Sequence, residues 1–162
     1  MLINTMNNRQ VCNIVIPNTQ LECDYYWARK NFVSIAQSMG LGIGTLSSTY
    51  TEQLCNKIFS MTPTKGKDRE RADSIDSNGK YVEIKCTQDR NTCASVNQYA
   101  KYDYLIWMHI DYSANELIIK KYSKNDVIEG IKKLSKNEQS KKRPTVNLNK
   151  LQNACNSSRY KF

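Results

Sequence analysis

The thirteen-residue stretch 73–85 contains three carboxylates and two lysines, among them Asp73, Glu83 and Lys85. Asp73 is followed by a short turn sequence and then by Glu83 and Lys85. Because side chains alternate along a β-strand, Glu83 and Lys85 are expected to point to the same face. Two converging carboxylates form an oxygen-rich site that suits Mg²⁺, and a nearby lysine can position a water molecule. The set therefore predicts metal-assisted hydrolysis of a phosphodiester.

A β-hairpin is the element that must bring these side chains together. The pattern predicts strands over Ala72–Asp76 and Lys80–Cys86, with a glycine at the end of the three-residue loop between them. In that register Asp73 faces Glu83. Asp73, Glu83 and Lys85 then share one face of the hairpin.

Asp76 is the competing first carboxylate. Its odd spacing from Asp73 directs it to the opposite face, and it stands at the start of the turn, where aspartate is common. We therefore favour Asp73. The alternative for the whole set is a solvent-exposed acidic and basic surface with no catalytic role.

The surrounding pattern predicts an α/β fold in which a central mixed sheet is flanked by helices. Helical spacing would direct Tyr25, Ala28, Phe32, Ile35 and Met39 inward from the first helix. The apolar run 104–110 is typical of a strand covered on both faces. The predicted elements are a short strand over 11–16 in an otherwise irregular start, helices over 24–39, 49–60 and 124–134, a short helix within 87–100, and strands over 104–110 and 116–122.

The catalytic hairpin resembles a known nuclease motif. Asp73, followed ten positions later by Glu83-Ile84-Lys85, is similar to the PD-(D/E)XK motif of small type II restriction endonucleases. The resemblance covers about residues 48–122 and departs from the motif at Ala72, which stands in place of proline. It implies a restriction-endonuclease-like core and DNA cleavage that depends on Mg²⁺, for which Mn²⁺ is expected to substitute.

The same resemblance implies a role for each site residue. Asp73, Glu83 and the backbone carbonyl of Ile84 would hold the metal, and Lys85 would position the attacking water. Glu52, on the preceding helix, is a further candidate that could join through water. Its alternative role is to complement the helix dipole from the first helical turn.

Positive charge is concentrated at the end of the chain. The net charge is +9, and residues 113–162 contain 12 Lys and Arg against 4 Asp and Glu. Such an imbalance indicates a polyanionic partner, of which nucleic acid is the simplest, although a solvated basic tail is the alternative. Candidate DNA-binding residues are Lys132, Lys133, Lys136, Lys141, Lys142 and Arg143, together with Lys65, Lys67, Arg69 and Arg71 from the loop before the catalytic strand.

Length and cysteine content narrow the class of protein. We expect one nuclease domain over 1–162, with a catalytic core over about 48–122 and a basic DNA-binding segment over about 123–162. The six cysteines form no Cys-x-x-Cys pair and His109 is the only histidine, so we expect free, mostly buried thiols and no zinc site. The N-terminus has no signal-peptide pattern, which predicts a cytoplasmic protein.

The leading hypothesis is a type II restriction endonuclease that binds double-stranded DNA as a homodimer. A related possibility is the small subunit of a heterodimeric restriction enzyme. The alternatives are a Holliday junction resolvase and a non-catalytic DNA-binding protein with a structural acidic pair. Gln98 and Tyr102 have a spacing found in some nuclease relatives, but they directly precede a predicted strand and we attribute the match to chance.

Overall fold

The protein has a mixed α/β fold in which helices flank a central mixed sheet. The computed structural model describes residues 2–7, 10–15, 20–44, 46–67, 71–89, 91–151 and 156–161. The strands are β1 (Leu2–Asn7), β2 (Gln10–Val15), β3 (Thr62–Pro63), β4 (Ser74–Ile75), β5 (Tyr81–Gln88), β6 (Cys93–Ser95), β7 (Tyr104–Asp111), β8 (Glu116–Ser123), β9 (Thr145–Asn147) and β10 (Asn156–Lys161). The helices are α1 (Gln20–Ser38), α2 (Ser48–Phe59), α3 (Lys124–Lys132) and α4 (Lys136–Gln139), with a 3₁₀ turn over Leu148–Lys150.

Eight strands form the central sheet in the order β2-β1-β10-β8-β7-β5-β4-β3. β5 and β7 are parallel, and the other neighbouring pairs are antiparallel. β6 and β9 form a separate antiparallel pair. All residues of β7 except the last are buried, as the apolar run predicted for a strand covered on both faces.

Alternate residues of β5 and β7 belong to two apolar clusters, one on each face of the sheet. Val82 and Ile106 pack on one face with Leu54 of α2. Leu105 and Trp107 pack on the other face with residues of α3 and β9. By strand alternation Glu83 lies on this second face, so an ionisable side chain stands beside an apolar cluster.

The predicted inward face of α1 is wrong. Tyr25, Phe32, Ile35 and Met39 are 40–66% exposed and Ala28 is exposed as well, whereas Tyr26, Val33 and Ala36 are buried. Both rows have helical spacing, but the buried row is interrupted by Arg29 and Lys30. Those two side chains find polar partners at the edge of the core, Arg29 on the carbonyls of Ile43 and Gly44 and Lys30 on Asn115. Long basic side chains can therefore occupy a mostly buried helix face.

Several element boundaries also differ from the prediction. The chain starts with the hairpin β1–β2 rather than an irregular segment, and α1 begins at Gln20, so Asp24 lies inside the helix. The described part of 87–100 contains the strand β6 and no helix. β4 is only two residues long. The helix after β8 and the strand β8 itself are confirmed.

The basic C-terminal segment is part of the folded core. Val127, Ile131, Val146 and Leu148 belong to the second apolar cluster, and β10 pairs with both β1 and β8. It is therefore not a solvated tail. Over the described residues no helix is both long enough and apolar enough to span a membrane.

The described cysteines, Cys23, Cys55, Cys86 and Cys93, are free. Only Cys55 among them is buried, so the expectation of mostly buried thiols is wrong for this part of the chain. His109 is 8% exposed, and its Nδ1 lies 2.9 Å from Thr87 Oγ1. The only histidine of the sequence is therefore buried and hydrogen-bonded.

Candidate active site

The hairpin that carries the candidate site has the predicted register. Ser74 pairs with Val82 and Ile75 pairs with Tyr81. The turn is closed by the N–H of Asp76, which donates to Lys80 O at 3.0 Å, and Gly79 adopts a φ of 76° that favours glycine. Continued by one residue, this register places Asp73 opposite Glu83.

Asp73 directly precedes β4, and its backbone is held from two sides. Its N–H donates to Val82 O at 3.1 Å, and its carbonyl accepts from Thr64 N–H at 3.1 Å. The carboxylate takes the place of a strand carbonyl, because Oδ2 accepts from the N–H of Ile84 at 2.7 Å. This hydrogen bond fixes Asp73 against β5 and places its carboxylate beside the backbone of Ile84.

Glu83 and Lys85 form a close ion pair on the second face of the sheet. Lys85 Nζ lies 2.6 Å from Glu83 Oε1. Glu83 is 6% exposed. Its partner on β7 in the parallel pairing is Leu105, which is fully buried. The carboxylate is therefore largely removed from water beside an apolar side chain.

Burial and like charge both act on the ionisation of Glu83. Burial raises the pKa of this carboxyl, and the negative charge of Asp73 raises it further, whereas Lys85 and Arg143 lower it. The net shift is upward from the ordinary value of 4.5. A second anion near a buried carboxylate is unfavourable unless a cation lies between them. Asp73 and Glu83 are therefore the carboxylates that could hold a cation here.

Asp76 has a different environment at the turn of the hairpin. Oδ1 accepts from the N–H groups of Asn78 and Lys80, each at 2.9 Å, and Oδ2 accepts from Tyr104 Oη at 2.9 Å. Burial raises the pKa of Asp76, but these hydrogen bonds outweigh it and the net shift is downward. The structure places Asp76 as the turn-forming carboxylate that its position in the sequence predicted.

The oxygen donors around Asp73 are suited to one Mg²⁺. The N–H and C=O of one residue point to the same edge of a strand, so the carbonyl of Ile84 points to the edge where Asp73 Oδ2 accepts its N–H. Two carboxylates and a carbonyl match the few protein ligands that Mg²⁺ takes alongside water and phosphate. Within the described ranges no group of three or more His, Cys, Asp or Glu could hold a metal. The candidate site therefore depends on two carboxylates alone.

Glu52 is less directly placed than the hairpin residues. α2 begins at Ser48 and has no acidic residue in its first turn, so the assignment of Glu52 to that turn is wrong. The helix contributes Leu54 and Cys55 to the apolar cluster on the face opposite Glu83. A role of Glu52 in the site stays a prediction.

The Lys and Arg residues predicted to bind DNA lie in several different environments. Arg71 packs on the ring of Tyr81 at 5.3 Å, two residues before Glu83 on the same face of β5. Lys132 and Lys141 pair with Glu129 and Glu138 of their own surface. Lys65, Lys67, Lys133, Lys136, Lys142 and Arg143 are exposed, and Arg69 lies outside the described residues.

Gln98 and Tyr102 lie in the segment between β6 and β7. Gln98 Nε2 donates to the carbonyls of Gln139 and Lys141, at 3.0 and 2.6 Å. Tyr102 is 3% exposed, and its hydroxyl has no partner among the described residues. Burial, together with the charge of Glu83, raises the pKa of this hydroxyl. The attribution of their spacing to chance stays a prediction.

A pocket of about 950 Å³ lies at the other end of β5. It is lined by Gln88, Asp89 and Tyr112 together with residues of α1, and by neither Glu83 nor Lys85. The pocket lining also includes Asp89, Asp111 and Lys30. We give the hairpin priority because Glu83 and Lys85 form a 2.6 Å ion pair there and the register places Asp73 opposite Glu83.

No protein-family model matches this chain, and no curated protein matches it either.

Proposed function

We propose that this protein is a Mg²⁺-dependent endonuclease with a restriction-endonuclease-like core that hydrolyses phosphodiester bonds in double-stranded DNA. The observation that carries the proposal is that Asp73 lies opposite Glu83, itself paired with Lys85, at the open end of one hairpin. A type II restriction endonuclease is the form that we favour. It would act as a homodimer, because cutting both strands of one site requires two active sites.

Each residue has a distinct part in the proposed reaction. Asp73, Glu83 and the Ile84 carbonyl would hold the metal, which supplies charge neutralisation at the phosphate and activation of water when it is bound. Glu83 holds the ammonium of Lys85 at 2.6 Å. Lys85 orients the water for attack on phosphorus and can give up a proton only if that ion pair rearranges. The hydrogen bond from Ile84 to Asp73 keeps the first carboxylate in place before substrate binds.

A plasmid cleavage assay with Mg²⁺ and a four-way DNA junction as a second substrate tests the proposal. Discrete linear fragments from the plasmid, lost on addition of EDTA, support a restriction endonuclease. Cleavage of the junction alone would instead indicate a Holliday junction resolvase. DNA binding without cleavage of either substrate would leave a non-catalytic DNA-binding protein and would refute the nuclease.

A further inference from the structure

A row of apolar side chains runs along the exposed side of α1. Its members, which we call the α1 face, are Tyr25, Ala28, Phe32, Ile35 and Met39. Their spacing of three or four residues aligns them on one side of the helix over about 21 Å. Single exposed apolar side chains are ordinary on a protein surface, whereas an aligned row of this length is typical of a contact surface.

The area of the α1 face is sufficient for contact with a second copy of the chain. Its four large side chains are 40–66% exposed, and Leu41, just beyond the helix, is 57% exposed. At about 200 Å² for each large side chain, these fractions correspond to about 550 Å² of apolar surface. Contact between two such faces would bury about 1,100 Å², slightly more than the roughly 1,000 Å² that a specific interface should reach.

The charges around the α1 face favour a copy of this chain over a polyanion or a membrane. Charged residues make up 24% of the sequence, yet residues 31–51 contain none. Among the described side chains of α1 the charged ones are Asp24, Arg29 and Lys30, and both cations already contact backbone carbonyls or Asn115. A nucleic acid or an anionic membrane would require free cations along this side.

Symmetry gives a neutral face a specific advantage. A two-fold axis brings the same surface of both copies together. The chain carries a net charge of +9, so two copies repel each other wherever basic surfaces meet. The α1 face is an exposed, uncharged surface on which that repulsion is smallest.

We propose that the α1 face is the surface through which two copies of this chain form a dimer. In an antiparallel pairing about a two-fold axis at Phe32, Tyr25 packs against the partner's Met39 and Ala28 packs against the partner's Ile35. The small side chain of Ala28 leaves room for isoleucine, and a methionine sulfur packs favourably on a tyrosine ring. The inference deepens the proposed function, on which only its cleavage readout rests.

The test compares Ile35→Glu and Met39→Glu with the control Tyr99→Glu. Tyr99 is 67% exposed and lies outside α1, so the control places the same charge on an equally exposed site. Sedimentation equilibrium without DNA or metal gives the dimer dissociation constant, and circular dichroism checks that each variant folds. Each substitution in α1 should raise that constant by about 100-fold or more, because every dimer would bury two carboxylates. Tyr99→Glu should dimerise like the wild-type protein.

Salt dependence and cleavage products extend the test. Because two basic copies repel, the wild-type dimer should tighten as salt screens their charges, whereas a contact made by ion pairs would weaken. At a concentration where Ile35→Glu is monomeric, it should nick one strand of a plasmid that the wild-type protein cuts through both strands.

The outcomes separate the dimer from the nuclease. A monomeric wild-type protein, or a dimer that Ile35→Glu and Met39→Glu leave intact, would overturn the inference even if the protein cuts DNA. Binding of the wild-type protein to neutral phosphatidylcholine vesicles that is lost in Ile35→Glu would assign the face to a membrane and overturn it as well. A dimer that is lost in both variants but cuts no DNA would support the inference and refute the nuclease.

Discussion

The two ends of the β4–β5 hairpin hold carboxylates in opposite ways. At the turn, Asp76 accepts three hydrogen bonds from its own chain, and the net effect on its pKa is downward. At the open end, Glu83 is 6% exposed, has Asp73 nearby and has a raised pKa despite its pairing with Lys85. The fold therefore stabilises the ionised carboxylate of Asp76 at the turn and disfavours that of Glu83 at the open end.

This difference distinguishes a structural carboxylate from a candidate catalytic one without reference to any relative. A carboxylate whose charged form is stabilised by backbone donors contributes to stability. A buried carboxylate held against a second anion reduces stability and is retained where a bound cation or a reaction requires it. The following predictions test this contrast, from the largest expected effect to the smallest.

Cleavage should depend on the open end of the hairpin and not on its turn. Asp73→Ala, Glu83→Ala and Lys85→Ala should each reduce the cleavage rate by about 100-fold or more, because each removes a group that acts on the reacting phosphate. DNA binding should persist. Asp76→Ala should cleave at nearly the wild-type rate. An inactive Asp76→Ala with an active Asp73→Ala would reverse the assignment of the two aspartates.

Metal binding should stabilise the protein only through the open end. Mg²⁺ or Mn²⁺ should raise the free energy of unfolding of the wild-type protein by about 2.7 kcal/mol at a concentration about 100 times the dissociation constant. Glu83→Gln should lose most of this effect in a thermal-shift titration. Asp76→Asn is the matched control and should keep it. Equal responses of the two variants would mean that the cation binds elsewhere.

The turn carboxylate should matter for folding. Asp76→Ala removes the acceptor for two backbone N–H groups and Tyr104, and should lower the free energy of unfolding by about 2 kcal/mol at pH 7. The folded pKa of Asp76 lies below its ordinary value of 3.8. Its contribution is therefore present above that value and is lost as the pH falls through the folded pKa. Urea unfolding at several pH values should show the two proteins converging in acid.

Neutralising Glu83 should stabilise the metal-free protein, whereas Asp76→Ala should destabilise it. Glu83→Gln should raise the free energy of unfolding of the metal-free protein by about 1 kcal/mol at pH 7, as is common when a strained functional site is relieved. The folded pKa of Glu83 is raised above 4.5, so its folded state binds more protons than the unfolded chain between the two pKa values. Wild-type stability should therefore fall as the pH rises through that window. A less stable Glu83→Gln would show that the pair with Lys85 is net stabilising.

Exposed lysines outside the hairpin should affect binding only modestly. Neutralising Lys136 and Lys142 should weaken binding to all DNA sequences alike and flatten the salt dependence by about one unit per lost phosphate contact. The single-turnover rate at saturation should not change. Lys57→Gln, on the opposite face, is the control and should leave the slope unaltered. Equal slopes in all three proteins would mean that these lysines do not contact phosphates.

The sequence by itself determined the hairpin and its register, and with them the face shared by Glu83 and Lys85. These features depend on local rules, since strands alternate by two and a loop ending in glycine sets the pairing. The buried strand β7 was equally predictable because a continuous apolar run is typical of a strand covered on both faces. Local periodicity was ambiguous for α1, where two rows of side chains have helical spacing and only the packing against the sheet selects one.

Tertiary structure alone decided the surroundings of the catalytic candidates. Arg143 is sixty residues from Glu83 in the sequence, and the pairing of β6 with β9, together with hydrogen bonds from Val96 and Gln98, brings its loop beside β5. The raised pKa of Glu83 likewise depends on burial beside residues from distant elements. Charge interactions and desolvation act through space, and no spacing rule along the chain specifies which distant residues become neighbours.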